Sequence, residues 1–194
     1  MTESACSLTA LRERFLQDVH SNPYNRAILA RWTRLALADG WLVAGCLFQT
    51  VWNCCSGQPP AAQIKDYDLF YFDESDRSAE AEQRVQDHVA HALSDLGITV
   101  EVKNQARVHL WYPDWFGHPY PALESAREGI DRFLIPATCV GVRPAEEGFE
   151  VHAPHGLRLL YEGLLSSNPL TPHAALFEAK ARSYRARWPW LRLI

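Results

Sequence analysis

Two aspartates one residue apart, in Ile64-Lys65-Asp66-Tyr67-Asp68-Leu69-Phe70-Tyr71-Phe72, are the clearest chemical signal in the chain. The run turns apolar and aromatic after Asp68, which reads as a strand that opens with two carboxylates. Alternate strand side chains share a face, so Asp66 and Asp68 project together, about 6–7 Å apart. Carboxylates placed like this repel each other unless a cation sits between them. A hard ion such as Mg²⁺, or Mn²⁺ in its place, suits oxygen ligands from one or two carboxylates plus substrate phosphates. Just upstream, Trp41-Leu42-Val43-Ala44-Gly45-Cys46 reads as a short apolar strand that turns at Gly45 into a helix. The first amides of that helix, with its positive dipole end, favour an anion. A metal site and a phosphate site therefore arrive together, as phosphoryl or nucleotidyl transfer requires.

On these residues, Gly45-Cys46, a helix, then Asp66-Tyr67-Asp68 on a strand, the sequence resembles the nucleotidyltransferase superfamily, which includes DNA polymerase beta and the tRNA CCA-adding enzymes. It is more closely similar to a family of small bacterial nucleotidyltransferase-like proteins, through residues 102–112, 137–143, 153–157 and 187–190. The resemblance implies an α+β fold, with a small mixed β-sheet of the polymerase-beta type flanked by helices. It implies that Gly45 and Cys46 hold the phosphates of an NTP by their backbone amides. It also implies a third acid on a later strand, so that Asp66, Asp68 and Glu101 are the catalytic, metal-holding set. In the two-metal mechanism so implied, one Mg²⁺ on all three acids activates the acceptor hydroxyl. A second, shared by Asp66 and Asp68, neutralises the triphosphate and the leaving pyrophosphate. Two features depart from the pattern. Cys46 stands where Gly or Ser is usual, which removes a hydroxyl contact, and the gap from Gly45 to Asp66 is several residues longer than common. A loop of composition Cys54-Cys55-Ser56-Gly57-Gln58-Pro59-Pro60 can absorb that length.

Glu101 lies in Ile98-Thr99-Val100-Glu101-Val102-Lys103, whose strict alternation marks a strand with Val100 and Val102 inward. From residue type alone, Glu101 and Lys103 read equally as an exposed surface pair. Arg107 follows directly. It reads either as a fork-shaped donor for the triphosphate or as the partner of a surface acid.

The elements that must position these residues are legible from periodicity. Residues 8–19 and 24–37 carry helical apolar stripes and form a helical lead-in. Residues 79–96 read as a helix that begins with Glu80 and Glu82 and stops at Gly97. Residues 113–121, with Trp115, Phe116, His118 and Tyr120, read as an aromatic loop that either lines a pocket on which a base stacks or packs over the sheet. Residues 125–133 read as a short helix and 137–142 as a buried strand. Residues 146–148 turn a hairpin into a strand at 149–152, and 157–165 read as a helix. A final helix at 174–187 mixes Lys180, Arg182, Arg185 and Arg187 with Phe177 and Tyr184. It reads either as a contact for RNA or a nucleotide, or as a helix docked by its aromatic side. Together these make one expected domain, with a lead-in over 1–40, a catalytic core over 41–152 and a helical part over 153–194.

Composition narrows the function classes. With 194 residues, 47% apolar and 22% charged, the chain has the material for an ordinary core. A net charge of -4 offers no general attraction to nucleic acid, although a local contact remains open. No apolar run approaches ~20 residues and no basic-apolar leader begins the chain, so the expectation is a cytoplasmic protein without a membrane partner. The five cysteines form no C-x-x-C pair and read as reduced thiols. His88 and His91 are too isolated to suggest zinc. The expected activity is metal-dependent transfer of an NMP from an NTP to an acceptor that the residues do not identify. The competing expectation is a non-catalytic nucleotide-binding or protein-interaction module of the same fold.

Overall fold

The structure, a computed structural model, describes residues 5–194. In chain order the elements are α1 (Ala5–Ser21), α2 (Pro23–Ala30), α3 (Trp32–Leu35), β1 (Trp41–Val43), α4 (Gly45–Cys55), β2 (Asp66–Tyr71), α5 (Ala79–Ala92) and β3 (Thr99–Asn104). They continue with α6 (Val108–Phe116), α7 (Ala126–Asp131), β4 (Gly141–Pro144), β5 (Phe149–His152), α8 (Arg158–Glu162), β6 (Leu164–Leu165), α9 (Ala174–Arg187) and β7 (Arg192–Leu193). Five strands form one mixed sheet in the order β3-β2-β1-β4-β5. β1 runs antiparallel to both its neighbours, whereas β2 and β3 are parallel, joined by the crossover helix α5. The parallel pair needs that crossover, and the hairpin of β4 and β5 needs only a tight turn.

Each face of the sheet has its own partner. Leu42, Tyr67, Leu69, Tyr71, Val100 and Val102 point into the main core, packed with Phe15, Ile28, Phe48, Trp52 and Val89 from the helices. On the other face Trp41 and Val43 are covered by Ala126 and Ile130 of α7, with Phe70 and Phe133 at the margin. That smaller cover leaves the start of β2 open, and the chemistry lies there.

Several helices and strands end earlier than periodicity implies, each for a local reason. The stripe over 24–37 is two helices, because Arg31 leaves helical geometry and Ala36 closes α3 in the left-handed region (φ 50°). The helix from residue 79 ends at Ala92, and a single 3-10 turn over Ser94–Leu96 carries the chain to Gly97. Residues 137–142 are not one strand. Pro136 starts a 3-10 turn that Thr138 closes by donating its amide to Ile135 O (2.8 Å), and pairing begins only at Gly141. The helix after Leu157 stops at Gly163 (φ 64°), so Leu164 and Leu165 are free to pair with β7 instead. Residues 113–116, read as loop, are the end of α6 with Pro113 inside it.

The C-terminal segment is tied down by indoles. The Trp188 Nε1–H donates to Asn53 Oδ1 (3.1 Å), and the Trp52 Nε1–H to Leu160 O (3.0 Å). Both rings are fully buried and meet edge to face at 5.1 Å. Burial of an indole is stabilising only when its N–H finds an acceptor, and both do. These contacts fix α9 across the end of α4.

Candidate active site

The register of β2 and β3 decides which acids meet. Asp68 lies opposite Glu101, and Asp66 opposite Thr99. Burial alternates in step on both strands, with Tyr67, Leu69, Val100 and Val102 buried and the residues between them turned outward. Asp66, Asp68 and Glu101 therefore project from one face of the sheet. Asp66 and Asp68 are half-buried, whereas Glu101 is exposed.

Beside the two aspartates opens a cleft of about 350 Å³. Ala44, Gly45 and Gln49 form one wall and residues 133–135 with Thr138 another, while Lys180 and Tyr184 of α9 close the third. The cleft holds charge of both signs. Burial pushes the Asp68 carboxyl up from 3.8 to about 7, reinforced by the charges of Asp66 and Glu101. The Lys180 ammonium and the Gly45 amide pull the other way. The Tyr184 phenol is likewise pushed up to about 12, by burial first and then by Asp68.

The turn from β1 into α4 is built tightly around this cleft. Ala44 adopts φ 57°, ψ -131°, a backbone conformation normally left to glycine. At Gly45, a Cβ would lie 2.7 Å from Gln49 Nε2 and 4.0 Å from Asp68 Oδ2. Gln49 itself is held from α9, since Arg187 Nη1 donates to its Oε1 (2.6 Å). The Cys46 side chain points the opposite way, fully buried, with its thiol donating to Val43 O (3.2 Å). Only its backbone faces the helix start, so a hydroxyl in place of that thiol would not reach the cleft from this rotamer.

Arg107 lies apart from these residues. β3 runs parallel to β2, so the chain beyond Asn104 emerges at the end of the sheet opposite Asp66. There Arg107 Nη1 meets Glu82 Oε2 at 2.7 Å, both side chains largely buried, and its Nε donates to Arg77 O (3.2 Å). Of the two sequence readings of Arg107, this geometry is that of the acid partner. Lys180 is the lysine that lines the cleft. In the sequence it is one of four basic residues on the final helix, none singled out. Its spacing from Tyr184 and Arg187, four and seven residues, was the available signal, because it places all three on one helix face. The His88 ring bonds Arg34 O (2.9 Å). Cys46, Cys54, Cys55 and Cys139 are free thiols.

Among the described residues no group of three His, Cys, Asp or Glu side chains is drawn into a ready-made metal cage. The donor set nevertheless fits a hard divalent ion. It consists of carboxylates on one face, and burial first, then the charges of Asp66 and Glu101, hold the Asp68 carboxyl above the usual carboxylate range, as for acids crowded together.

A family model described as Nucleotidyltransferase matches residues 30–193. The chain belongs to the nucleotidyltransferase family. A solved structure, described as an NMR structure that reveals a CCA-adding enzyme head domain, superposes with a TM-score of 0.77. It is 24% identical and the match covers 94% of this chain and 95% of that one, a likeness of fold. No curated protein matches the chain. The mixed sheet with flanking helices is thus the nucleotidyltransferase fold expected from the acidic pair and the glycine turn. No helix among the described residues of this nucleotidyltransferase is long and apolar enough to cross a membrane.

Proposed function

We propose that this member of the nucleotidyltransferase family transfers an NMP group from an NTP to an acceptor hydroxyl, with Asp66, Asp68 and Glu101 as the residues that hold Mg²⁺. The observation that carries the reading is the register pairing of Asp68 with Glu101 beside an open cleft. Gly45 and Cys46 would present backbone amides to the triphosphate, and Lys180 would neutralise it from the opposite wall. Gln49, steadied by Arg187, would hold its place at the turn. Bound Mg²⁺ supplies charge neutralisation on the phosphates and lowers the pKa of the attacking hydroxyl. The acceptor oxygen forms a bond to the α-phosphorus as the bond from that phosphorus to the bridging oxygen breaks. Pyrophosphate leaves with the electron pair, and the hydroxyl proton is released to solvent at the exposed edge of Glu101.

Incubation of the protein with α-labelled NTPs, Mg²⁺ and a cell extract tests this. Label transferred to an acceptor, and lost with Asp68→Asn, is the expected result. Nucleotide binding without transfer in any extract would leave a sensor rather than an enzyme.

A further inference from the structure

On the sheet face that carries the acids, β2 and β3 continue past Asp68 and Glu101 to the next outward pair, Phe70 opposite Lys103. Two residues of strand put Lys103 about 7 Å beyond Glu101. A second cavity of about 190 Å³ opens there, walled by Phe70, Trp111, Tyr112, Tyr120 and Phe133, with Lys103 and Arg132 at its border. Phe133 also lines the first cleft, so the two spaces share a wall residue. We infer that this second cavity is the acceptor subsite, and that the acceptor is a small molecule with a planar aromatic ring and an anionic group. This rests on the transferase reading of the first cleft.

Position supports the assignment. The phosphates are expected at the start of α4 and near Lys180, on the β1 side of Asp68. An acceptor must then approach from the other side, across Glu101, which is where the second cavity lies. Chemistry sets the ligand class. The cavity is small and ring-lined, suited to one planar ring system stacked on Trp111 or Tyr112. Among the described residues neither Lys103 nor Arg132 has a carboxylate partner. Arg132 stands over the Tyr120 ring at 5.5 Å, with one hydrogen bond to Leu170 O (3.5 Å). Glu128, the acid whose charge reaches Tyr120, accepts instead from the Glu124 amide (3.1 Å). Two cations without counter-charges at the mouth of an aromatic cavity complement an anion carried by the ring. Two cations on a chain of net charge -4 do not make a track for a long polyanion, which favours a small acceptor over a nucleic-acid strand.

Calorimetric titration of the full chain, saturated with Mg²⁺ and a nonhydrolysable NTP, tests the subsite. The probes are adenosine 5′-monophosphate and 4-hydroxyphenyl phosphate as ring-bearing anions, adenosine as a neutral ring, ribose 5-phosphate as an anion without a ring, and a single-stranded oligonucleotide. At least one ring-bearing anion should bind, adenosine and ribose 5-phosphate more weakly. Binding should fall by about tenfold in Lys103→Gln and in Arg132→Gln. Lys103 is exposed, so its variant will fold. The inference is overturned if no ring-bearing anion binds up to about 10 mM, if Lys103→Gln binds unchanged, or if the oligonucleotide alone binds. If the probes behave as expected but no labelled NMP is transferred, the cavity stands as a binding site for a ring-bearing anion, and the transferase reading falls together with the acceptor role. If transfer occurs and Lys103→Gln alters neither binding nor turnover, the transferase reading stands and the subsite falls.

Discussion

Asp68 and Glu101 face each other across the one parallel strand pair of the main sheet, and burial first, then the charges of Asp66 and Glu101, raise the cost of charging Asp68. For Asp68 the folded-state pKa lies near 7, against 3.8 for a free side chain. The folded chain therefore holds a proton that the unfolded chain has already lost. The contribution of Asp68 to stability is complete below about pH 4 and disappears as the pH rises through 7. Without divalent ions, melting temperature should fall between pH 5 and 8, and Asp68→Asn should be the more stable protein at pH 8. Held in full, a rise from 3.8 to about 7 would be worth about 4 kcal/mol, and in a partly solvated site on the order of 2 kcal/mol. Thermal unfolding at several pH values measures it, and identical curves for the two proteins would refute the assignment.

Mg²⁺ should raise the melting temperature of the natural protein at pH 8 more than at pH 5, because the ion replaces the proton. In Asp68→Asn the increment should vanish. An equal increment in both proteins would place the ion elsewhere.

Lys180→Gln should weaken NTP binding by about tenfold while leaving the fold intact, since the side chain is exposed and contributes mainly charge. Arg107→Gln should do the opposite. It leaves Glu82 without its partner in a largely buried pair, which should cost about 2–4 kcal/mol of stability and leave NTP affinity unchanged. A pair of titrations and denaturation curves separates the two arginine and lysine roles. Loss of affinity in Arg107→Gln without loss of stability would return that residue to the phosphates.

Ala44→Gly should stabilise the protein by about 1 kcal/mol, because alanine pays for a positive φ that glycine adopts freely. The gain is partly offset by the greater freedom of glycine in the unfolded chain. Chemical denaturation will show it, and a loss of stability would mean that the Ala44 methyl contributes packing larger than the strain.

The acidic pair, the glycine turn and the Glu101 strand were legible because they depend on short-range alternation, which a pleated strand obeys wherever it lies. The same alternation placed Val100 and Val102 in the core and Glu101 on the outer face. Less was readable where tertiary partners decide. Leu164 and Leu165 continue a helical stripe, but the left-handed Gly163 and the arrival of β7 turn them into strand. Pro113 signals a break, yet α6 runs through it to Phe116 and is capped by Gly117. Lys180 looked like one charge among several on a basic helix, and only the docking of Trp188 onto Asn53 shows which side of that helix meets the acids.

The docking of α9 has a kinetic side. Its cation, its phenol and the arginine that steadies Gln49 all come from residues 180–187, while Asp66 and Asp68, which line the same cleft, are laid down more than a hundred residues earlier. A growing chain can assemble the sheet and its three carboxylates long before the opposite wall exists. Competence for nucleotide should thus appear abruptly and late, when the indole of Trp188 finds its seat.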